Sequence, residues 1–424
     1  MQKGKKGMTS PEVIVDDRPF REVYVGPSGK SLLPGGFGRT MFVVGPRSPM
    51  AVRGYGCYVV DDAGRELIDF NNNFTSQIHG YAHPAVVEAG QKALANGTSF
   101  GLPNMHEIDH ARMMVERLPY VEQIRYNNSG TEAVMLAVRV ARAYTGRDKI
   151  VFVANSYHGH SEVALVPGGP KARRGVPAGV IADIIEVGIN DLDTLSKVFE
   201  DNKNQIAAVV LDVLPNRAGL IALSFEFLNL ARQLTTENGA LLISDEVIAL
   251  RQCYQGALFG LGVTPDLMAM GKIIGAGTPV GAVAGPEEFM SQLDGLNGGL
   301  EHGGTTAANP VTMATGLVTM QLFTADEVDR LNTLGGRIRT KLTAGIDQQA
   351  WEVRGDGSLF RIFRRGVDGV ANRNAQIAVW AAAMERGVSL GQNTMGALST
   401  PMNEAIIDDS AERIIDAVAS IPTE

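Results

Sequence analysis

Short apolar runs that end in polar residues recur along the chain, and stretches with helical periodicity separate them. The clearest runs occupy positions 123–126, 150–153, 206–214, 240–244 and 267–270. Their length and their content of branched residues are typical of buried strands in a parallel sheet. The helical pattern from Phe225 to Asn238 is stopped by Gly239 just before the run at 240–244. Strands that alternate with helices in this way predict right-handed crossovers. We therefore predict an α/β fold with a mostly parallel central sheet.

Two of these runs end in residues of opposite charge. The run at 240–244 leads into Asp245 and Glu246, and the run at 267–270 ends at Gly271 and Lys272. Ligands of open α/β sheets bind beyond the carboxyl ends of the strands, so one sheet edge would bring Asp245 and Lys272 together. This pair suits pyridoxal phosphate, because a lysine forms the Schiff base and an aspartate pairs with the pyridinium nitrogen. Taken singly, the acidic residues fit a capping pair and Lys272 fits a surface lysine.

A phosphate site is predicted where the run at 123–126 passes into a helix. The helical pattern starts at Glu132, so Ser129, Gly130 and Thr131 lie at its N-terminus. Free N–H groups and the positive end of the helix dipole bind phosphate there, and glycine allows close approach. A capping box without any ligand is the alternative. Tyr157 follows the run at 150–153 and could stack on a flat heteroaromatic ring or belong to the core.

Two further motifs point to other chemistry. His106 and His110 form an HExxH pattern, which in zinc proteases places two ligands on one helix face. No third ligand is evident in the sequence, and we expect no metal site. Residues 26–31 resemble a phosphate loop, but Tyr24 stands where that motif requires glycine.

Composition narrows the functional class. The net charge of −8, from 38 basic and 46 acidic residues, disfavours nucleic acid as a partner. Cys57 and Cys253 form no spacing motif, which favours a reducing compartment without disulfides. The sequence offers neither an apolar signal-peptide core nor a run long enough to span a membrane. We expect a cytoplasmic enzyme.

The order of the predicted strands, helices and loops along the chain predicts four parts. Residues 1–30 form a flexible tail, and residues 31–70 form a segment that contains an antiparallel hairpin. Residues 71–324 make a large cofactor-binding domain, and residues 325–424 make a smaller α+β domain. We expect the hairpin near residues 50–70 to pack with the small domain, so that both chain ends build it.

Five motifs in order resemble those of fold-type I, class III aminotransferases, in the branch of glutamate-1-semialdehyde aminomutase and the β-amino-acid transaminases. The resemblance extends from about residue 34 to the C-terminus. The motifs are NNSGTEA at 127–133, YHG at 157–159, DEV at 245–247, PDLMAMGK at 265–272 and HGGTTAANP at 302–310. The resemblance implies a pyridoxal phosphate enzyme that works as a homodimer.

The resemblance also implies residue roles around the cofactor ring. Lys272 would carry the Schiff base and move the proton, and Asp245 would hold the ring nitrogen protonated. Tyr157 would stack on one face of the ring and Val247 on the other. His158, next to Tyr157, falls among the cofactor-binding residues.

Phosphate and substrate contacts follow from the same resemblance. Ser129, Gly130 and Thr131 would bind the phosphate, joined by Thr305 from the second subunit. Arg39 falls where β-amino-acid enzymes place an arginine that binds the substrate carboxylate, and an exposed loop arginine is the alternative. A guanidinium suits this role because it binds a carboxylate through two hydrogen bonds.

Two positions depart from the family pattern. Asp212 stands where a longer glutamate is usual, and Met395 stands where the related enzymes carry a charge. We predict an aminotransferase that moves an amino group from an amine or β-amino acid to a keto acid in a ping-pong cycle. The alternatives are an intramolecular aminomutase, a zinc hydrolase built on the HExxH motif, and a catalytically silent binding protein.

Overall fold

The computed structural model describes residues 49–367 and 369–422. Within these ranges no helix is long and apolar enough to cross a membrane. The strands, β1 to β14 in chain order, are Ala51–Tyr55, Tyr58–Asp61, Glu66–Asp69, Gln123–Asn127, Lys149–Val153, Ile184–Val187, Ile206–Leu211, Leu241–Asp245, Leu267–Gly271, Gly281–Gly285, Trp351–Arg354, Leu359–Arg364, Val388–Ser389 and Gly396–Ala397.

Seven strands form the central sheet in the order β4-β10-β9-β8-β7-β5-β6. β10 runs antiparallel to both of its neighbours, β4 and β9, and the remaining pairs are parallel. Every residue of β7, β8, β9 and β10 is buried, which explains their continuous apolar sequences. The predicted α/β fold with a mostly parallel sheet is confirmed.

Helices cover the sheet and form the rest of the core. The helix Phe225–Asn238 matches the predicted one: Ser224 caps its N-terminus through the Phe227 N–H, and Gly239 ends it with φ of +61°. The longer helices are Pro84–Asn96, Met105–Arg117, Gly130–Thr145, Leu192–Asp201, Phe225–Asn238, Pro310–Leu322, Ala325–Gly345, Gly369–Glu385 and Glu404–Ala419. The short ones are Glu162–Leu165, Ala178–Ala182, Glu246–Ala249, Ala257–Gly260 and Glu287–Met290.

The two ends of the described chain meet in a second sheet of order β1-β2-β3-β13. The hairpin of β1 and β2 is antiparallel, and β13 joins β3 in parallel through Val388 opposite Ile68. A third sheet, β11-β12-β14, lies wholly in the C-terminal part. The early strands therefore pair with the C-terminal part, as expected, and the four predicted domain boundaries stay predictions.

Candidate active site

Asp245 and Lys272 emerge from neighbouring parallel strands at the same edge of the central sheet. Asp245 is the last residue of β8 and lies opposite Ala269 of β9, three residues before Lys272. Leu211 of β7 lies opposite Ser244, so Asp212 and Asp245 follow at the same level. This edge therefore gathers two carboxylates and one amine.

Lys272 has an unusual backbone and a shifted proton equilibrium. Its φ of +51° lies in the left-handed region, which costs a non-glycine residue about 1–3 kcal/mol and is typical of functional positions. Burial lowers the pKa of its amine to about 8, opposed by Asp245 and Asp212 and reinforced by Arg251. A substantial share of the amine is therefore neutral near physiological pH, as a nucleophile requires.

Asp245 is held by two hydrogen bonds. His158 donates from Nδ1 to Oδ2 at 2.6 Å, and the Val247 N–H donates to Oδ1 at 3.0 Å. His158 is buried, and its Nε2 atom has no hydrogen-bond partner among the described residues. His158 thus holds the Asp245 carboxylate in a fixed orientation. The sequence did not predict this contact.

Asp212 is a second buried carboxyl beside Asp245. Burial and the Asp245 charge together raise its pKa to about 7, and the hydrogen bond from the Leu214 N–H opposes the shift. Asp212 is therefore placed to exchange a proton near neutral pH. Its departure from the family glutamate leaves a carboxyl at this edge.

Glu246, the second acidic residue after β8, does not belong to the site. Its carboxylate is fully buried and accepts hydrogen bonds from the Ser244 hydroxyl and the N–H groups of Ala257 and Leu258. These bonds satisfy free donors at the start of the helix Ala257–Gly260. The capping alternative is therefore the right one for Glu246.

The helix Gly130–Thr145 begins at the same edge. Ser129 caps it by accepting the Glu132 N–H at 3.2 Å, and the first backbone bond runs from Ala133 to the Ser129 carbonyl. The N–H groups of Gly130 and Thr131 precede that bond and have no acceptor within the helix. A Cβ built on Gly130 would lie 2.7 Å from the Val247 side chain, so only glycine fits.

These groups fit pyridoxal phosphate at its ring nitrogen, its aldehyde and its phosphate. Asp245 would supply the anion for the ring nitrogen, Lys272 would supply the amine for the aldehyde, and the N–H groups of Gly130 and Thr131 would supply donors for the phosphate. The Thr131 hydroxyl lies 3.2 Å from Nδ1 of His160 in a solvent-exposed contact. We find no conflict between this donor set and the cofactor.

Tyr157 is an exposed aromatic residue, and the charge of Asp245 acts on its phenol. Its side chain is 49% exposed, which is unusual for a core tyrosine. Partial burial raises the pKa of the phenol, Arg217 lowers it, and Asp245 raises it. The alternative that Tyr157 is a core residue is therefore disfavoured.

The structure describes Thr305 but not Arg39. Thr305 is exposed, and its carbonyl accepts the Ser99 hydroxyl at 3.2 Å. The next residue, Thr306, donates to the side chain of Asn128 at 2.8 Å, adjacent to Ser129. Arg39 and the phosphate-loop-like residues 26–31 lie outside the described residues.

The HExxH motif is structural. Nδ1 of His110 lies 2.6 Å from the Tyr126 hydroxyl, and Nε2 lies 2.9 Å from the Ile274 carbonyl. Burial lowers the pKa of His110 to about 4, so the ring is neutral. Both ring nitrogens are thus occupied, and no cluster of metal ligands occurs in the part of the chain that the structure describes. The zinc hydrolase alternative has no support here.

Two arginines near the site were not singled out from the sequence. Arg251 is fully buried and bonds to Ser358 and Leu398 of the C-terminal part, and Arg217 lies five residues after Asp212. Both follow strands that end at the active edge. The rule that ligands bind beyond the carboxyl ends of strands could have drawn attention to them.

Comparisons with known proteins agree with this geometry. A family model described as Aminotransferase class-III matches residues 44–421. An omega-transaminase from Sphaerobacter thermophilus is 38% identical, covers 96% of this chain and 98% of its own, and has a TM-score of 0.89. A structure described as a transaminase with PLP bound is 38% identical over 92% of this chain and 94% of its own, with a TM-score of 0.86. A beta-phenylalanine aminotransferase from Variovorax paradoxus is 28% identical over 92% of this chain and 91% of its own, with a TM-score of 0.82.

Proposed function

The chain belongs to the class III aminotransferases, and from this premise we propose how its residues carry out the transfer of an amino group. The enzyme is a transaminase that depends on pyridoxal phosphate. When bound, the cofactor supplies an aldehyde for the amino group and a ring that draws electrons from the C–H bond of the substrate carbon that bears the amino group. The residues around the cofactor must bind and orient the cofactor and the substrate, and they must move protons.

Lys272 is the catalytic amine in this proposal. Its Nζ atom would hold the cofactor at the aldehyde carbon and would accept the proton released by the substrate carbon that bears the amino group. The lowered pKa supports both tasks, because only the neutral amine attacks a carbonyl or accepts a proton. The left-handed backbone at Lys272 turns the side chain sharply out of β9.

Asp245 holds the ring nitrogen in its protonated form. The His158 donor fixes the carboxylate by one oxygen, and the Val247 N–H fixes it by the other. A carboxylate that is already oriented loses little entropy when the ring binds. Val247 and Tyr157 would contact opposite faces of the ring.

Ser129, Gly130 and Thr131 bind the phosphate through the start of the helix Gly130–Thr145. The free N–H groups and the positive end of the helix dipole support this role. Thr305 of a second subunit would complete the phosphate site. This contact requires a homodimer in which the two sites share residues.

An exposed apolar surface supports the homodimer. It consists of Val87, Leu94, Phe100, Leu102, Met105 and Ile108, all of them 40 to 77% exposed. Ser99, within the same stretch, contacts the loop that carries Thr305. All six lie between residues 87 and 108, and exposed apolar patches mark protein interfaces.

The reaction is a two-stage exchange between an amino donor and a keto acid. We propose a β-amino acid or amine as the donor, supported by the likeness to the omega-transaminase and to the beta-phenylalanine aminotransferase. Arg39 is the proposed carboxylate-binding residue. The aminomutase alternative has less support from these comparisons. We also expect the enzyme to work in the cytoplasm, because Cys57 and Cys253 are both free thiols.

The pairing register that sets Asp245 beside the residues leading to Lys272 carries the proposal. The test is a half-reaction: an amino donor is added to the holoenzyme without acceptor, and the absorbance of the bound cofactor is followed. We expect conversion that reverses when a keto acid is added. Asp245→Asn should slow it by about 100-fold or more, because the ring nitrogen loses its anion, and Asp329→Asn, an exposed control, should not. Product from a single substrate without any acceptor would instead establish an aminomutase.

A further inference from the structure

Arg217 lies at the rim of the site, in the loop after β7. It is exposed, and its Nη2 atom points to the Gly168 carbonyl at 3.5 Å. A Cβ built on Gly168 would lie 2.8 Å from Nη1, so the guanidinium packs directly on this glycine. The preceding residue, Pro167, accepts the Asn155 N–H at 3.1 Å, two residues before Tyr157. Arg217 and Tyr157 are therefore joined through one short turn.

The charge of Arg217 acts on a side chain of the candidate active site. Arg217 and Asp245 both act on the Tyr157 phenol, with opposite signs. The Tyr157 phenol is therefore close enough to both Asp245 and the Arg217 guanidinium for each charge to act on its pKa. A substrate that extends past Tyr157 would meet a positive charge.

Arg217 has no carboxylate partner among residues 49–367 and 369–422, unlike other arginines around this loop. Arg173 pairs with Glu186, and Arg354 pairs with Glu352 at 2.7 Å. An exposed cation that forms no internal ion pair keeps its donors available for a ligand.

The loop that carries Arg217 is fixed from the C-terminal part. Arg361 donates to the Asn216 carbonyl at 2.7 Å and to the Asn393 carbonyl at 2.9 Å. It thus ties the residue before Arg217 to the segment that leads to Met395, which is buried and uncharged. The backbone that carries Arg217 is therefore held by the fold, and Met395 supplies no charge of its own.

We propose that Arg217 binds the carboxylate of the substrate at the rim beside Tyr157, alongside the contact proposed for Arg39, so that the enzyme prefers an amino acid to an amine of the same shape. This inference rests on the proposed function. A guanidinium binds a carboxylate through two parallel charged hydrogen bonds, which are about twice as strong as neutral ones. Arg217 is then a specificity-determining residue, and the substrate class is amino acids with the carboxylate separate from the reacting carbon.

The test compares 3-aminobutanoate with 2-aminobutane, which differ by a carboxylate in place of a methyl group. The measured quantity is the ratio of their kcat/KM values in the holoenzyme. We expect Arg217→Gln to lower this ratio about 10- to 100-fold, since a hydrogen bond to a charged group is lost, and Arg217→Lys to lower it less. Arg174→Gln, an exposed arginine of the neighbouring loop, should leave it unchanged.

A second measurement separates this inference from the proposed function. Binding of 3-hydroxybutanoate, which cannot donate an amino group, is followed by calorimetry and should weaken in Arg217→Gln but not in Arg174→Gln. An unchanged ratio and unchanged binding in Arg217→Gln would overturn the inference, as would an equal loss in Arg174→Gln. If neither donor reacts with the wild type, the proposed function fails, and the calorimetry still decides on Arg217.

Discussion

The Nδ1 atom of His158 lies 2.6 Å from the Oδ2 atom of Asp245, and both side chains are buried. The bond joins the loop after β5 to the end of β8, across the intervening strand β7. It fixes the orientation of the carboxylate that we propose as the partner of the cofactor ring nitrogen. Several consequences of this arrangement are open to measurement.

His158→Phe should weaken binding of pyridoxal phosphate by about 10- to 100-fold, because Asp245 loses a buried hydrogen bond and its fixed orientation. The dissociation constant can be measured by titrating the apoenzyme with the cofactor and following absorbance. His106→Gln, a histidine of the helix Met105–Arg117, is the matched control. Equal affinity of His158→Phe and wild type for the cofactor would show that the hydrogen bond from His158 is not needed to orient Asp245.

Asp212→Asn should stabilise the apoenzyme at pH 8 and have a smaller effect at pH 5. The folded protein holds the Asp212 proton up to a pKa of about 7, whereas the unfolded chain releases it near 3.8. Stability is therefore lost as the pH rises through this window, by up to about 4 kcal/mol. The variant cannot ionise and escapes the loss.

The measurement is the melting temperature of wild type, Asp212→Asn and the exposed control Asp329→Asn at the two pH values. A higher melting temperature of Asp212→Asn than of wild type at pH 8 would show that Asp212 lowers the stability of the folded protein. Such a cost is expected for an active-site residue. A loss at both pH values would contradict the raised pKa.

His110→Gln should remove a loss of stability at acidic pH. In the wild type the folded His110 has a pKa of about 4, while the unfolded histidine has one of 6.5. The unfolded state thus binds more protons between these values, and stability falls by about 3 kcal/mol as the pH is lowered through them. Melting curves at pH 4.5 and 7.5 should show a smaller difference for His110→Gln than for wild type or His106→Gln. Stabilisation of the wild type by added zinc would instead revive the metal alternative.

Leu102→Glu should dissociate the homodimer. Leu102 is 77% exposed within the apolar surface beside the Thr305 loop, and a charge there would be buried in the interface. Val370→Glu, on another surface with 74% exposure, is the control. Light scattering after size-exclusion chromatography should give a monomer only for Leu102→Glu, and that monomer should bind the cofactor more weakly. A monomeric wild type would refute the shared site.

The sequence predicted the active edge because the rule for parallel strands is local. Each strand can be recognised from its own apolar run, and the residue after it then falls at a known edge, as for Asp245 and Lys272. The helix Phe225–Asn238 was predicted at its observed bounds, since its helical pattern and the terminal Gly239 are both in the sequence. The fold and the central pair therefore followed from short-range information.

Contacts that depend on the placement of loops could not be predicted. His158 and Asp245 are far apart in sequence, and nothing near either residue indicates that they meet. The HExxH spacing places two histidines on a helix face but does not reveal that Tyr126 and the Ile274 carbonyl occupy the second ring. β10 was missed because Gly281–Gly285 consists of small residues that resemble a loop. Its place between β4 and β9 is set by packing.

The central claim is that Lys272 bonds to the cofactor at the edge where Asp245 holds the ring nitrogen. The most direct measurement is to reduce the holoenzyme with sodium borohydride, which makes that bond permanent, and to locate the modified lysine by mass spectrometry of its peptides. We predict the modification on the peptide that carries Lys272 in the wild type and none in Lys272→Ala. Modification of a different lysine in the wild type, or cofactor bound without any such bond, would contradict the account.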